Sequence, residues 1–323
     1  RRARTGSLCL GTVKVRSDLV ARIAVGIFLP LSIATPLVQW AVQHRLTTIA
    51  LDGWVAVMAL FIGQEFCYYW FHRAAHRVRW FWGNHAVHHS PNELNLSAAF
   101  RIGAFGKLTG VSLFFVPLIW VGFDVRTVFS VLTLNLLYQF WIHATWIPKL
   151  GWLEYVLNTP SAHRVHHASN PQYLDANFGG VLIVFDRLFG TYIEERADLP
   201  CRYGLVHPLT SYNPLRVEFA QWMSLAHDLL RARSLRAVLG HLFMPPGWAP
   251  DGAGFTSAEL RARLRQASAV SCAMIQFADA LGGRWRKLEI AARHVGHRWT
   301  GEPHRALADA LACRSVWLWL KGQ

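Results

Sequence analysis

The sequence predicts an all-α integral membrane protein, with about four transmembrane helices in two hairpins and a helical, histidine-rich cap on the cytoplasmic side. Three observations point there. The 323 residues are 53% hydrophobic and only 16% charged, richer in apolar side chains than an ordinary soluble domain. Apolar stretches come in pairs joined by short polar turns. Histidines cluster just past the ends of those stretches at helical spacing.

In chain order, residues 1–22 form a basic N-terminal segment, the first 18 residues of which do not read as a cleavable secretory signal. Ile23 to Gln43 is free of charge and matches the roughly 20 residues that cross the hydrocarbon. After a polar turn at His44 and Arg45, Gly53 to Phe71 is apolar apart from Gln64 and Glu65. Leu108 to Phe123 and Thr127 to Ile142 read as a second hairpin around the turn Asp124 to Arg126. The membrane-embedded region is expected to extend over residues 23–215, with short helices and loops from 150 onward. Residues 216–282 read as amphipathic helix, and residues 283–323 carry no assignable pattern. Arg and Lys gather before the first stretch, between the hairpins and after the last. The positive-inside bias therefore places both termini and the cap in the cytoplasm. With apolar spans present, the net charge of +14 favours an anionic membrane surface over nucleic acid, which is not an expected partner. The five cysteines read as free thiols in a reducing compartment.

Nine of the sixteen histidines form a pattern. His72 and His76 sit in HRAAH, His85, His88 and His89 in HAVHH, His143 in WIHATW, and His163, His166 and His167 in HRVHH. Residues three and four apart share a helix face, so each group can aim its rings at one point. Imidazole suits iron, zinc, copper and nickel. Eight or nine nitrogens exceed the four that one tetrahedral zinc takes, which predicts a di-metal cap. The remaining histidines, such as His44, His207, His227 and His241, read as ordinary surface or interface residues. A metal-bound imidazole commonly donates its second N–H to an acid or carbonyl. Glu65, Asp175 and Asn177 are the candidates for that supporting role, with Asp186 ranked below them; turn chemistry or a salt bridge is the plain alternative for each. Gly179 and Gly180 read as sites of close backbone packing.

The runs YYWFHRAAH, NHAVHHS, NLSAAFR, LNTPSAHRVHH and YLDANFGGVLIVFDRLFGTY together resemble the fatty acid hydroxylase superfamily, also called the sterol desaturase family. The likeness runs from about Glu65 to Asp251 and is nearest the alkylglycerol monooxygenase-like branch with its bacterial members. It implies a di-iron centre on the nine histidines, O2 as oxidant, a lipid substrate and a bacterial inner-membrane location. Zinc can replace iron in purified protein of this kind. The chain has no haem, flavin or ferredoxin motif, so an external donor of ferredoxin, cytochrome or pterin type is expected. Arg77, Ser90-Pro91-Asn92, Ile102 and Ala162 depart from that branch, where Glu, SSE, Gln and His are usual. These positions lie outside the boxes; they leave the lipid and any use of tetrahydrobiopterin open. The reaction implied is hydroxylation of an unactivated C–H. Desaturation or oxidative demethylation on the same centre is the nearest alternative, and a metal transporter or store is the non-enzymatic one.

Overall fold

A computed structural model describes residues 32–265 apart from 210 and 212, together with residues 292, 295 and 297. The basic segment 1–22, the first part of the stretch from Ile23 and most of the tail from 283 lie outside the described residues. Ala258–Gln323 belongs to a separate compact unit, in which residues 258–265 are helical. The rest of the description concerns the first unit.

Among the described residues the regular elements are all helices, with two isolated bridges as the only β pairing. Helix α1 covers Thr35–Gln43 and α2 covers Trp54–Arg77. The 24 residues of α2 rise about 36 Å at 1.5 Å each, so one rod carries both the apolar stretch and the first histidine pair. Extended Val78 ends it, and α3 (Arg79–His89) turns back alongside with the second box.

The stretch from Leu108 is not the continuous arm expected. It breaks into α4 (Gly106–Thr109), a 3-10 turn (Val111–Phe115) and α5 (Val116–Val121). Gly110 (φ 88°) and Gly122 (φ 140°) stand at the breaks in backbone conformations that favour glycine. After them α6 (Val125–Ile142) is capped by Asp124, whose carboxylate accepts from the backbone N–H groups of Arg126 and Thr127. Among the described residues α6 alone combines the length and apolar composition needed to cross a membrane. The two turns meet: Leu46 N–H donates to Trp120 O (2.8 Å) and Ile49 N–H to Gly122 O (3.0 Å). Between them, Leu60, Phe115, Ile119 and Val128 form the buried core of the helical bundle.

Beyond α6 the chain forms short elements, as expected from its texture. These are a 3-10 turn at Gly151–Tyr155, α7 (Pro160–His166, with Pro160 in its first turn and Thr159 as N-cap) and α8 (Val184–Leu188). The amphipathic region is two helices, α9 (Pro214–Arg231) and α10 (Leu235–Phe243). They are docked against α3. Trp222 lies over Gly83, and Arg79 reaches Asp228 and the ring of buried His241. Leu215, Phe219 and Met223 stay exposed on the outer side of α9.

Candidate metal centre

The nine patterned histidines come together. Their nitrogens fall into two groups, His72, His76, His85, His89 and His166 in one, and His88, His143, His163 and His167 in the other. Within each group the candidate ligand atoms lie within 4.8 Å of one another. The grouping follows helical geometry more finely than the motifs do. In each HxxHH triplet the first and third residues, one turn apart, join the same group (His85 with His89, His163 with His167). The middle residue crosses to the other. The groups adjoin, since the rings of His89 and His167 stack with centroids 4.4 Å apart.

The second nitrogen of several rings is fixed by a backbone carbonyl. His72 Nδ1 is 2.9 Å from Phe178 O, His166 Nδ1 2.9 Å from Ala176 O, and His143 Nδ1 2.7 Å from Gln139 O. His88 Nδ1 lies 3.1 Å from Ala98 O and 3.2 Å from Arg101 O. A carbonyl only accepts, so each Nδ1 carries the proton and each Nε2 presents a bare lone pair. The Nε2 atoms of the site lie close together: His72 and His85 at 3.1 Å, His85 and His89 at 3.2 Å, His88 and His143 at 3.3 Å, His143 and His163 at 3.0 Å, His163 and His167 at 3.1 Å, and in the His88–His143 pair both are bare. Facing lone pairs repel. Two nitrogens each bound at about 2.0–2.1 Å to one metal would stand about 3.0–3.4 Å apart, depending on geometry. The observed separations are those of ligand–ligand edges. His76 Nε2, His163 Nδ1 and His166 Nε2 are buried with no partner in the protein. The donor set thus fits a pair of imidazole-bound metal ions.

Burial pushes the pKa of His72, His85, His88, His89, His163, His166 and His167 well below the ordinary value, and neighbouring imidazoles push it further. His143 comes down to about 4, again through burial. All eight rings are neutral at pH 7, the form that binds metal.

The expected supporting acids divide. Asp175 stands beside the first group, its Oδ1 3.7 Å from His76 Nδ1 and its Oδ2 accepting from Arg77 at 3.1 Å. Glu65 is not in contact with His72, contrary to its expected role. Its Oε2 accepts from the backbone N–H groups of Val181 and Leu182 at 2.8 Å each, and Oε1 accepts from Asn135. Asn177 meets no imidazole either; it clamps backbone. Its Nδ2 donates to Ala162 O (2.9 Å) and Ile193 O (2.8 Å), and its Oδ1 accepts from Ile193 N–H (2.8 Å). Asp186, ranked below these three, lies behind His72 as a fully buried acceptor for the Phe178 and Gly179 amides. The diglycine packs as expected: a Cβ on Gly179 would sit 2.2 Å from Leu182 O, and one on Gly180 2.2 Å from Asn135 Nδ2.

A cavity of about 320 Å³ opens against the histidines. His72, His85, His88 and His143 line one part, and Phe71, Phe81, Phe115, Leu132 and Leu136 supply apolar walls. Ile102 and Lys107 also line it.

The fatty acid hydroxylase family profile matches residues 57–191, a span that holds all nine histidines. Residues 57–191 are thus similar to that family. Alkylglycerol monooxygenase of Xenopus tropicalis is 35% identical over 241 residues, 74% of this chain and 53% of the relative. The human alkylglycerol monooxygenase is 36% identical over 246 residues, 76% of this chain and 54% of the relative. A bacterial relative, ornithine lipid hydroxylase OlsE of Rhizobium tropici, is 26% identical over 184 residues, 56% of this chain and 55% of the relative. The chain spans about half the length of the curated relatives it matches. No solved structure matches it.

Proposed function

We propose that this chain is a membrane-bound di-iron oxygenase that hydroxylates a C–H of a lipid held in the cavity beside the histidines. One observation carries the proposal: two clusters of imidazoles with converging nitrogens adjoin a cavity with apolar walls. His72, His76, His85, His89 and His166 would hold one iron, and His88, His143, His163 and His167 the other. When bound, such a pair supplies O2 activation and oxidation of an unactivated carbon, with electrons from an external donor. Relatives named for lipid oxidation support this choice over metal storage.

The protein's own residues do the rest. Phe71, Phe81, Phe115, Leu132 and Leu136 receive a hydrocarbon chain and exclude water from the imidazoles. The carbonyls of Phe178, Ala98, Arg101, Gln139 and Ala176 hold His72, His88, His143 and His166 in one tautomer and orientation. Ile102 gives the wall an apolar group, which suits a hydrocarbon segment at that point.

In the membrane, α6 crosses with its His143 end at the cytoplasmic face, and the long α2 runs beside it. The paired turns at Leu46–Trp120 and Ile49–Gly122 lie on the far side. The exposed outer residues Trp54, Val55, Val57, Met58 and Ile62 of α2 and Leu134 and Leu137 of α6 face the acyl chains. The proposed location is a bacterial inner membrane, with both termini cytoplasmic on the positive-inside bias of the sequence. A transporter would carry its ligands near the middle of the bilayer. These histidines gather at the ends of α2 and α6 and on the short helices beyond, which favours the oxygenase.

Lipidomics of cells expressing the chain, set against cells expressing His88→Ala, tests the reading. A lipid heavier by one oxygen is expected only with the intact histidines. A lipid lighter by two hydrogens would move the reading to desaturation, and identical lipid profiles would overturn it.

A further inference from the structure

We infer that Asp186 is a positioning residue for the first histidine group, acting on His72 through a single peptide unit. The inference rests on the metal-binding reading above. Three links are on the page. His72 Nδ1–H donates to Phe178 O at 2.9 Å. The same peptide unit carries the Gly179 N–H, which donates to Asp186 Oδ2 at 2.7 Å. Asp186 is fully buried, and its Oδ1 accepts from Phe178 N–H at 2.7 Å and from the Thr191 hydroxyl at 2.6 Å.

A carboxylate that accepts a peptide N–H polarises that peptide and makes its carbonyl a better acceptor. The carbonyl then pulls harder on the Nδ1 proton, and the opposite nitrogen, Nε2, becomes a stronger donor to a metal. Metal-bound histidines often hold a carboxylate directly. Here the carboxylate stands one peptide further out. Gly179 makes the approach possible, since a Cβ there would meet Leu182 O at 2.2 Å and Asp186 Oδ2 at 3.1 Å.

A second ring hangs on the same segment. His166 Nδ1–H donates to Ala176 O, and the N–H of that peptide, Asn177 N–H, donates to Thr191 O at 3.0 Å. Thr191 is the residue whose hydroxyl donates to the Asp186 carboxylate and whose N–H donates to the Asp186 main-chain carbonyl. His72 and His166 belong to the first group. The carbonyls that take the Nδ1 protons of His88 and His143, in the second group, come from Ala98, Arg101 and Gln139, whose peptides do not bond to the Asp186 carboxylate. The two metal positions are therefore unequal by construction: Asp186 strengthens the first and leaves the second alone.

Cobalt(II) titration of the metal-stripped chain in detergent tests this, because each tightly bound ion gives a visible absorption band. The unmodified chain is expected to take up two equivalents. Asp186→Asn is expected to weaken one of the two by about 10- to 100-fold, the range for losing an outer partner of a ligating histidine, and to spare the other. Glu154→Gln is the structural control. Glu154 is also buried and holds the Leu150 N–H and the Thr159 hydroxyl, but lies on no peptide that orients an imidazole. If Asp186→Asn and Glu154→Gln change the titration alike, or Asp186→Asn weakens both equivalents equally, Asp186 is only structural and the inference fails. If Asp186→Asn does not fold, Thr191→Val loosens the carboxylate while leaving it in place. That variant must still weaken one equivalent, and an unchanged titration overturns the inference. No cobalt uptake by the unmodified chain would instead overturn the metal-binding reading itself, and the inference with it.

Discussion

Replacing Asn177 by alanine removes three hydrogen bonds at a fully buried position. Ala162 O loses a donor, and Ile193 loses partners for both its N–H and its carbonyl. A buried backbone group left unpaired costs about 1–3 kcal/mol. Asn177 also sits at φ 57°, the left-handed region, where alanine adds about 1 kcal/mol. Taking the lower range for each bond, the sum is roughly 4–6 kcal/mol, a large share of the roughly 5–15 kcal/mol that holds a domain folded. Asn177→Gly loses the same bonds without the backbone cost, so it should be about 1 kcal/mol milder than alanine. Asn177→Asp keeps the acceptor for Ile193 N–H but turns an oxygen toward Ala162 O and Ile193 O, and should be no better than alanine. Thermal unfolding of the detergent-solubilised protein measures all three. Alanine within about 1 kcal/mol of the parent, or glycine worse than alanine, would refute the clamp, since bond loss and backbone strain could not both be acting as described.

Gly180→Ala would place its Cβ 2.2 Å from Asn135 Nδ2, which donates to Glu65. The expected cost is about 1–3 kcal/mol, with lower retention of bound metal, read by thermal unfolding and elemental analysis. Acid should destabilise the metal-free protein. His143 drops from 6.5 to about 4 on folding, so between those pH values the unfolded chain binds a proton that the folded chain does not. Its contribution is complete above pH 6.5, falls as the pH is lowered toward 4, and amounts to about 3 kcal/mol. The midpoint of chemical unfolding, followed from pH 7 to pH 4, should fall accordingly, and a flat profile would contradict the buried, neutral assignment.

The convergence of the histidine boxes was legible because its signal is local. Histidines three and four apart must share a helix face, and the boxes that HRAAH, HAVHH and HRVHH predict are the ones that converge. What stayed hidden was long-range. The bond from His72 to Phe178 O spans 106 positions, and those from Glu65 to Val181 and Leu182 span 116 and 117. No periodicity reports such pairings. For that reason Glu65 was placed on the wrong partner, and Asp186 ranked below Asn177 although it is the acid behind His72. Asp186 precedes Arg187 in the chain, which invited a simple ion pair; in the fold its carboxylate takes two amides and a hydroxyl. The broken arm from Leu108 to Phe123 did carry a local signal, in Gly110 and Gly122, but the apolar run around them reads as one span.

Polar side chains within α2 and α6 are expensive in an apolar setting unless each finds a partner. Here they find one another. Glu65 takes Asn135, Asn135 takes Gln139, and Gln139 accepts from the Tyr68 hydroxyl at 2.9 Å. What remains of the Glu65 carboxylate holds Val181 and Leu182, at the edge of the loop that supplies the carbonyls for His72 and His166. That loop is the part of the site with the least regular backbone, and α2 and α6 are the parts with the most. The polar belt transfers the rigidity of the helices to the loop. It also explains why Glu65, seven residues before His72, and Asn135 and Gln139, eight and four residues before His143, touch neither ring through a side chain: they bond to one another and to the Val181 and Leu182 amides.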